Sequence, residues 1–253
     1  MRLTVVGCSG SASGPDSAAS CYLLQAGATS VLLDLGSGAF GQLLRYLAPE
    51  CLDAVLISHL HADHVVDLVG LDVYLRYGPG APHQPVALWG PQGVQQRVEQ
   101  LCGEKGGGRD SYSAQTWRPG EPITIGPLQI EPFRVEHPVL AYALRITGPS
   151  EHGDGTRTLV YTGDTDSCDG VRDAAAGADL LLSEAAFEEG RDRLRGVHLT
   201  GRRAGELAAH AGVRQLVLTH IPPWTSRDKV HAEARSVYDG PVELADPGAT
   251  YAL

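Results

Sequence analysis

The sequence predicts an α/β fold. Short apolar runs rich in β-branched residues alternate with segments in which apolar residues recur at helical spacing. A weak internal repeat indicates that this pattern is built twice. No linker divides the chain, so we expect one domain over residues 1–253.

Strands are predicted where the apolar runs are bounded by Gly, Pro or Asp: Arg2–Val6, Cys21–Gln25, Ser30–Asp34, Ala54–Ser58, Pro85–Leu88, Leu128–Val135, Ala141–Ile146, Thr158–Thr162, Asp179–Ser183, Gln215–Thr219 and Val242–Leu244. Helices are predicted where the spacing is helical: Ala39–Leu47, Asp63–Arg76, Gly93–Leu101, Cys168–Ala175, Gly201–Ala211 and Arg227–Tyr238. The glycine-rich stretch Gly103–Asp110 is predicted to be a loop.

The internal repeat consists of two pairs of similar segments. Leu3–Ser9 parallels Leu159–Thr165, and Val55–His59 parallels Leu216–His220. One interpretation is coincidence among short apolar strings. The other is two pseudo-equivalent βα halves that meet face to face, which would bring both strand-end histidines to one edge of a sheet sandwich.

Composition and charge exclude several classes of protein. No apolar run reaches the ~20 residues that cross a bilayer, and the N-terminus resembles a first strand rather than a signal peptide. The 5 cysteines, without a CxxC pair, argue against a disulfide framework and predict a cytoplasmic location. A formal net charge of −10 without a basic patch argues against a large nucleic-acid footprint.

The strongest functional signal is the segment His59-Leu60-His61-Ala62-Asp63-His64, which directly follows a predicted strand. Strand alternation would turn the first two histidines in similar directions, and the next helix would begin near Asp63. Buried in a core, these side chains would carry large desolvation costs unless they were paired or bound to metal. The segment therefore predicts ligands for two neighbouring metal ions.

This segment resembles the HxHxDH signature of the metallo-β-lactamase superfamily. The rest of that family's pattern follows in order. Gly7–Ser11 resembles the glycine-rich loop after the first strand, and His137, Asp164 and His220 stand where the remaining ligands are expected. The resemblance implies a four-layer αββα sandwich made of two pseudo-equivalent βα halves.

The same resemblance implies two metal sites that share one carboxylate. One site takes His59, His61, His137 and Asp164, and the other takes Asp63, His64, His220 and Asp164. Imidazole and carboxylate ligands without thiolate suit two Zn²⁺ ions, with Mn²⁺ or Fe²⁺ as alternatives. Two metals about 3.5–4 Å apart can share a hydroxide, and a metal lowers the pKa of bound water to roughly 7.

Two further segments resemble the ribonuclease Z-like branch of the superfamily. Asp179–Ala185 is similar to that branch's strand and glutamate motif, and His198-Leu199-Thr200 is similar to its histidine loop. In that branch the glutamate orients the histidine, which donates a proton to the leaving oxygen. The resemblance therefore implies Glu184 and His198, together with Asp63, as the catalytic residues.

Four other residues are candidates for orienting ligands or contacting substrate. Asp34 resembles a family aspartate that orients metal-binding histidines. Ser37 and Thr200 lie at a predicted loop and helix start, where backbone amides suit an anion. Trp224 is a candidate either for stacking on a base or for packing at the rim of the site.

Departures from the branch shift the predicted substrate to a small phosphodiester. Members that mature transfer RNA carry an RNA-gripping arm between the third-motif histidine and the bridging aspartate. Here Asp164 follows His137 by only 27 positions, and Gly148–Gly155 is the one spare loop. The run Leu218–Arg227 also resembles actinobacterial members described as atypical class II cyclic-nucleotide phosphodiesterases.

We therefore expect a phosphodiesterase that hydrolyses 3′,5′-cyclic nucleotides such as cyclic AMP by attack of a metal-bridging hydroxide. The alternatives are transfer-RNA 3′ processing, hydrolysis of an ester, thioester or lactam, and a non-catalytic relic. The glutamate–histidine pair favours phosphodiester chemistry, because an expelled alkoxide needs an acid near neutral pH. We expect no membrane partner, and the resemblance implies a homodimer.

Overall fold

Two β-sheets packed face to face form the centre of the molecule, which is seen in a computed structural model describing residues 1–253. The first sheet contains β1 (Arg2–Ser9), β2 (Ala18–Ala19), β3 (Cys21–Ala26), β4 (Thr29–Leu33), β5 (Ala54–Leu56), β6 (Val86–Gly90), β7 (Tyr112–Thr116) and β15 (Thr250–Ala252). The second contains β8 (Ile123–Ile125), β9 (Leu128–Val135), β10 (Ala141–Pro149), β11 (Thr156–Tyr161), β12 (Leu180–Glu184), β13 (Leu216–Thr219) and β14 (Val242–Leu244).

Helices cover the outer face of each sheet. The first sheet packs against α1 (Ala39–Leu43), α3 (Leu68–Tyr77) and α4 (Val94–Cys102), and the chain between them forms a 3-10 helix (Pro49–Cys51) and α2 (Ala62–Val65). The second packs against α5 (Asp169–Ala175), α6 (Gly201–Ala211) and α7 (Arg227–Arg235). The predicted four-layer αββα sandwich is thus confirmed. No helix combines the length and apolar character needed to cross a membrane.

Three apolar cores hold these layers together, one between the sheets and one under each helical layer. The surroundings of strand β4 explain why its last three residues are all apolar. Val31 and Leu33 lie in the core between the sheets, whereas Leu32 faces the helices. Because successive side chains of a strand point to opposite faces, a strand buried on both faces has no polar alternation.

The two sheets repeat one topology. In the first, β1, β3 and β4 pair antiparallel, and β4, β5, β6 and β7 pair parallel. In the second, β9, β10 and β11 pair antiparallel, and β11, β12, β13 and β14 pair parallel. The prediction of two equivalent halves is therefore confirmed.

The alignment expected between the halves is wrong. Topology makes β5 equivalent to β12 and β11 equivalent to β4, whereas the sequence repeat paired β5 with β13 and β11 with β1. Strands β5, β12 and β13 are short and fully buried, and β1 and β11 each contain a buried apolar run, so their sequences resemble one another whatever their position. The two strand-end histidines were nevertheless expected at one edge of the sandwich, and the histidines after β5 and β13 do meet there.

Other differences from the predicted elements have local causes. All predicted strands are present, but β2, β7, β8 and β15 were not predicted, because they are short or, like β7, largely exposed and polar. The helix predicted over Asp63–Arg76 is two helices. The amide of Asp67 donates to the carbonyl of Leu35 at 3.2 Å, which interrupts the helical hydrogen-bond ladder between α2 and α3.

The turn after β4 packs directly on the predicted metal-binding segment. A Cβ atom on Gly36 would lie 1.8 Å from the carbonyl oxygen of Asp63, so only glycine fits there. The site is therefore held from behind by backbone-to-backbone contact.

We expect Gly36→Ala to lower the free energy of unfolding by about 1–3 kcal/mol, because backbone must move to admit the methyl group. The matched control is Gly41→Ala in α1, where the added Cβ meets no atom within 4 Å. Urea unfolding of both variants gives the comparison. Equal stability of the two variants would contradict the close packing at Gly36.

Candidate metal centre

The candidate ligands all leave the ends of strands at one edge of the sandwich. His59 follows β5, His137 follows β9, Asp164 follows β11 and His220 follows β13. Side chains at the carboxyl ends of parallel strands meet at the same edge. The tertiary fold therefore brings together residues that are far apart in the sequence.

The segment after β5 supplies four of them. The backbone is extended at His61, which is the N-cap of α2, and Asp63 and His64 lie in the first turn of that helix. His59 and His64 are fully buried, whereas His61 and Asp63 are half-buried. This change from extended chain to helix turns the four side chains toward two different positions.

The first cluster contains His59, His61, His137 and Asp164. The Nδ1 atom of His61 lies 3.0 Å from Nε2 of His59 and 3.1 Å from Nε2 of His137. A carboxylate oxygen of Asp164 lies 3.6 Å from the same nitrogen of His59. Burial lowers the pKa of all three imidazoles, so they are neutral, as metal ligands must be.

The hydrogen bonds around this cluster fix which nitrogens carry lone pairs. Nδ1 of His137 donates to the carbonyl of Val197 at 2.8 Å, so Nε2 of a neutral ring has a free lone pair. Ser58 donates its hydroxyl proton to Asp34 and therefore accepts from Nδ1 of His59 at 3.1 Å. Two lone pairs thus face one ring nitrogen of His61, an arrangement that a shared cation stabilises.

The second cluster contains Asp63, His64, Asp164 and His220. Nε2 of His64 lies 3.3 Å from one oxygen of Asp164, and Nε2 of His220 lies 3.2 Å from the other. Asp63 lies 3.4 Å from His64 and 3.8 Å from His220. Asp164 belongs to both clusters and is placed to bridge them.

Three buried atoms of this cluster have no hydrogen-bond partner: Nε2 of His64, Oδ1 of Asp164 and Nε2 of His220. Unsatisfied buried polar atoms are rare in proteins, and here they point toward one another. Burial alone would lower the pKa of His64, but the carboxylates of Asp164 and Asp34 raise it well above its ordinary value. The cluster requires positive charge, and its nitrogen and oxygen donors fit a divalent metal ion such as zinc.

Asp34 lies behind the second cluster and contacts one of its candidate ligands, His64. Its carboxylate accepts hydrogen bonds from Nδ1 of His64 and the hydroxyl of Tyr161, both at 2.6 Å, and from the amide and hydroxyl of Ser58, both at 2.7 Å. Its backbone has a φ of 59°, a left-handed conformation that few residues other than glycine adopt. This contact turns Nε2 of His64 toward the cluster.

Glu184 and His198 form a pair beside the two clusters. The fully buried carboxylate of Glu184 accepts from Nδ1 of His198 at 2.9 Å, from the amide of Thr165 at 2.9 Å and from the amide of Ala186 at 3.1 Å. Because its oxygens already accept these bonds, Glu184 is suited to orient the histidine rather than to bind metal. The ring of Phe187 packs edge-on against His198, with centroids 5.0 Å apart.

Two weaker candidates have other contacts. The hydroxyl of Ser37 pairs with that of Ser13 at 3.1 Å, on the exposed side of the turn. Thr200 caps α6: it accepts from the amide and Nε of Arg203 and donates to Glu189. All the hydrogen-bonding capacity of the Thr200 hydroxyl is used, so a contact with phosphate through backbone amides at this helix start stays a prediction. The indole of Trp224 is 64% exposed, as substrate stacking requires.

Several supporting residues were not predicted from the sequence. Ser20 bonds Nδ1 of His220 at 2.9 Å, Tyr161 bonds Asp34, and Phe187 packs on His198. None of these lies in a recognisable motif. Their contacts span up to 200 positions of sequence, which only the folded chain brings together.

A family model for the beta-lactamase superfamily domain matches residues 29–221. The chain belongs to the metallo-β-lactamase superfamily of metal-dependent hydrolases. One superfamily relative is the probable metallo-hydrolase YhfI of Bacillus subtilis, which is 34% identical over 98% of both chains. The crystal structure of YhfI superimposes with a TM-score of 0.86 over 99% of this chain and 98% of that one, at 33% identity.

Two other superfamily relatives are informative. A Mycobacterium leprae protein named as uncharacterised is 46% identical, with 99% of this chain and 88% of that protein covered. A ribonuclease Z of Gemmatimonas aurantiaca is 32% identical, with 83% and 82% covered. The likeness to the ribonuclease Z-like branch expected from Glu184 and His198 is therefore confirmed.

We expect Asp34→Asn to weaken zinc binding by about 10- to 100-fold, because one acceptor oxygen replaces two and the donors of His64, Ser58 and Tyr161 can no longer all be satisfied. Competition with a chromophoric chelator measures this affinity. Asp53→Asn is the control, since Asp53 also accepts an amide, that of Ser30, but at the opposite end of the same strands. Unchanged zinc affinity in Asp34→Asn would remove the role assigned to Asp34.

Proposed function

We propose that this superfamily member is a phosphodiesterase that binds two divalent metal ions, most suitably zinc, and hydrolyses 3′,5′-cyclic nucleotides such as cyclic AMP. The observation that carries the proposal is the placement of the Glu184–His198 pair beside both ligand clusters. A proton donor in that place serves a reaction that expels an alkoxide.

The geometry of His198 supports this role. Its ring centroid lies 5.4 Å from that of His137 and 5.6 Å from that of His220, so it stands between the two clusters. Its Nδ1 atom is held by Glu184, which leaves Nε2 free to face a substrate. Burial alone would lower the pKa of His198, but the charge of Glu184 raises it to about 9, which favours the protonated ring that can donate.

In this proposal, two bound metal ions would supply an activated water and neutralise charge on the phosphate. His198 donates a proton to the leaving oxygen, and Glu184 stabilises the imidazolium before that transfer. Asp63 has a pKa lowered by His64 and His220 although burial raises it, and so stays ionised. Its carboxylate accepts a hydrogen bond from the attacking water and orients it.

A small substrate fits the surroundings of the site better than transfer RNA. The chain between His137 and Asp164 is the β10–β11 hairpin, whose turn spans 150–155, and it contains no projecting arm. Trp224 lies in the loop after His220, where Thr225 bonds the carbonyl of Ala186 at 3.1 Å and fixes the loop. We assign the exposed indole to stacking on a nucleotide base.

Transfer-RNA processing is the second candidate, because a relative at 32% identity is named ribonuclease Z. A kinetic panel distinguishes the two functions. Zinc- or manganese-loaded protein is assayed with cyclic AMP, cyclic GMP, bis(p-nitrophenyl) phosphate, a precursor transfer RNA and a β-lactam. Turnover of the RNA with no turnover of cyclic nucleotides would reverse the ranking.

We expect His198→Ala to lower kcat for cyclic AMP by about 10²- to 10⁴-fold, because the alkoxide leaves without a proton donor. Bis(p-nitrophenyl) phosphate should be affected much less, since p-nitrophenolate needs no proton to leave. Metal content should not change. His210→Ala, on the exposed face of α6, is the control. Loss of metal from His198→Ala would show that His198 is a ligand instead.

A further inference from the structure

Three consecutive residues that end at His198 are each anchored to a different part of the metal centre. The amide of Gly196 donates to Asp166 at 2.8 Å, the carbonyl of Val197 accepts from His137 at 2.8 Å, and Nδ1 of His198 bonds Glu184 at 2.9 Å. Glu184 fixes the ring, whereas the first two bonds fix the backbone that carries it.

Asp166 is the centre of the backbone anchor. Its side chain is buried, and one carboxylate oxygen accepts from the amide of Gly196 at 2.8 Å and forms an ion pair with Arg195, 2.8 Å from Nε. The other oxygen accepts from Arg203 of α6 and from the amide of Ser167. The Arg203 guanidinium is itself almost wholly buried, so the charge of Asp166 is compensated inside the protein.

The backbone of Asp166 is tied to the ligands as well. It lies two positions after Asp164, and its amide donates to the carbonyl of Glu136 at 2.9 Å, next to His137. Asp166 thus links the two segments that carry His137 and Asp164 to the segment that carries His198. By contrast, the preceding residues Arg193, Leu194 and Arg195 are exposed. Without Asp166, the polar contacts of residues 196–198 with the site would be reduced to those with His137 and Glu184.

We propose that Asp166, compensated by Arg203, is a positioning residue that sets the place of His198 relative to the metal pair. It touches no substrate and acts through the backbone of Gly196. The inference rests on the proposed function, in which His198 protonates the leaving oxygen. Displacement of a catalytic group by about 1 Å can cost about 100-fold in rate, so a backbone anchor matters even when the ring keeps its partner Glu184.

The first test compares two leaving groups in Asp166→Ala. We expect kcat for cyclic AMP to fall by about 10- to 100-fold, and that for bis(p-nitrophenyl) phosphate to change by less than about threefold. Zinc content should be that of the wild type. In an Asp166→Ala/His198→Ala variant, the loss should be no greater than in His198→Ala alone, because both act through one proton transfer.

Two further variants separate positioning from a general loss of stability. Asp166→Ala/Arg203→Met removes both buried charges, so no uncompensated guanidinium remains, and it should keep the same dependence on leaving group. Asp169→Ala removes a nearby aspartate that pairs with Arg172 at 2.7 Å but is 93% exposed. It should behave as the wild type. Equal loss on both phosphodiesters, or loss of zinc, in both Asp166 variants would overturn the proposal.

The second test does not depend on activity. Limited trypsin digestion of the zinc-loaded proteins below their melting temperature should cut after Arg193 and Arg195 at least about tenfold faster in Asp166→Ala, because local opening exposes the segment. An unchanged cleavage rate would overturn the anchor. If the wild type hydrolyses no phosphodiester, the proposed function fails, and the digestion still decides whether Asp166 holds this segment.

Discussion

The structure of the site depends on the buried carboxylate of Asp164, which lies where the two ligand clusters meet. Its oxygens are 3.6 Å from His59, 3.3 Å from His64 and 3.2 Å from His220. A buried carboxylate is stable only with compensating positive charge. The rigid strand ends of the surrounding sheets hold the carboxylate and the imidazoles close together, although this arrangement needs compensating positive charge.

The two halves of the fold contribute equivalent positions with different chemistry. Asp34 follows β4 and Asp164 follows β11, the equivalent strand, yet one orients a histidine while the other joins the two clusters. His59 follows β5, whereas its equivalent strand β12 ends in Glu184, which accepts from His198. The repeated topology thus provides a common frame, and the residue at each strand end decides what that position does.

Three carboxylates outside the ligand set form a shared supporting layer. Asp34 fixes His64, Glu184 fixes the ring of His198, and Asp166 fixes the backbone before it. Each accepts at least one backbone amide in addition to its side-chain partner. Buried carboxylates with several donors are rigid, because any movement leaves a charge without hydrogen bonds. The reactive groups are therefore held in place before a substrate arrives.

The sequence by itself determined the layers and the candidate ligands. Apolar runs buried on both faces specify strands. Candidate metal ligands are concentrated in one six-residue segment, and three more follow it in recognisable motifs. It did not determine the polar edge strand β7, the break before α3, or the contacts of Ser20, Phe187 and Asp166. Local pattern cannot encode these features, because each depends on hydrogen bonds or packing between segments distant in sequence. Only the tertiary structure decides which chains become neighbours.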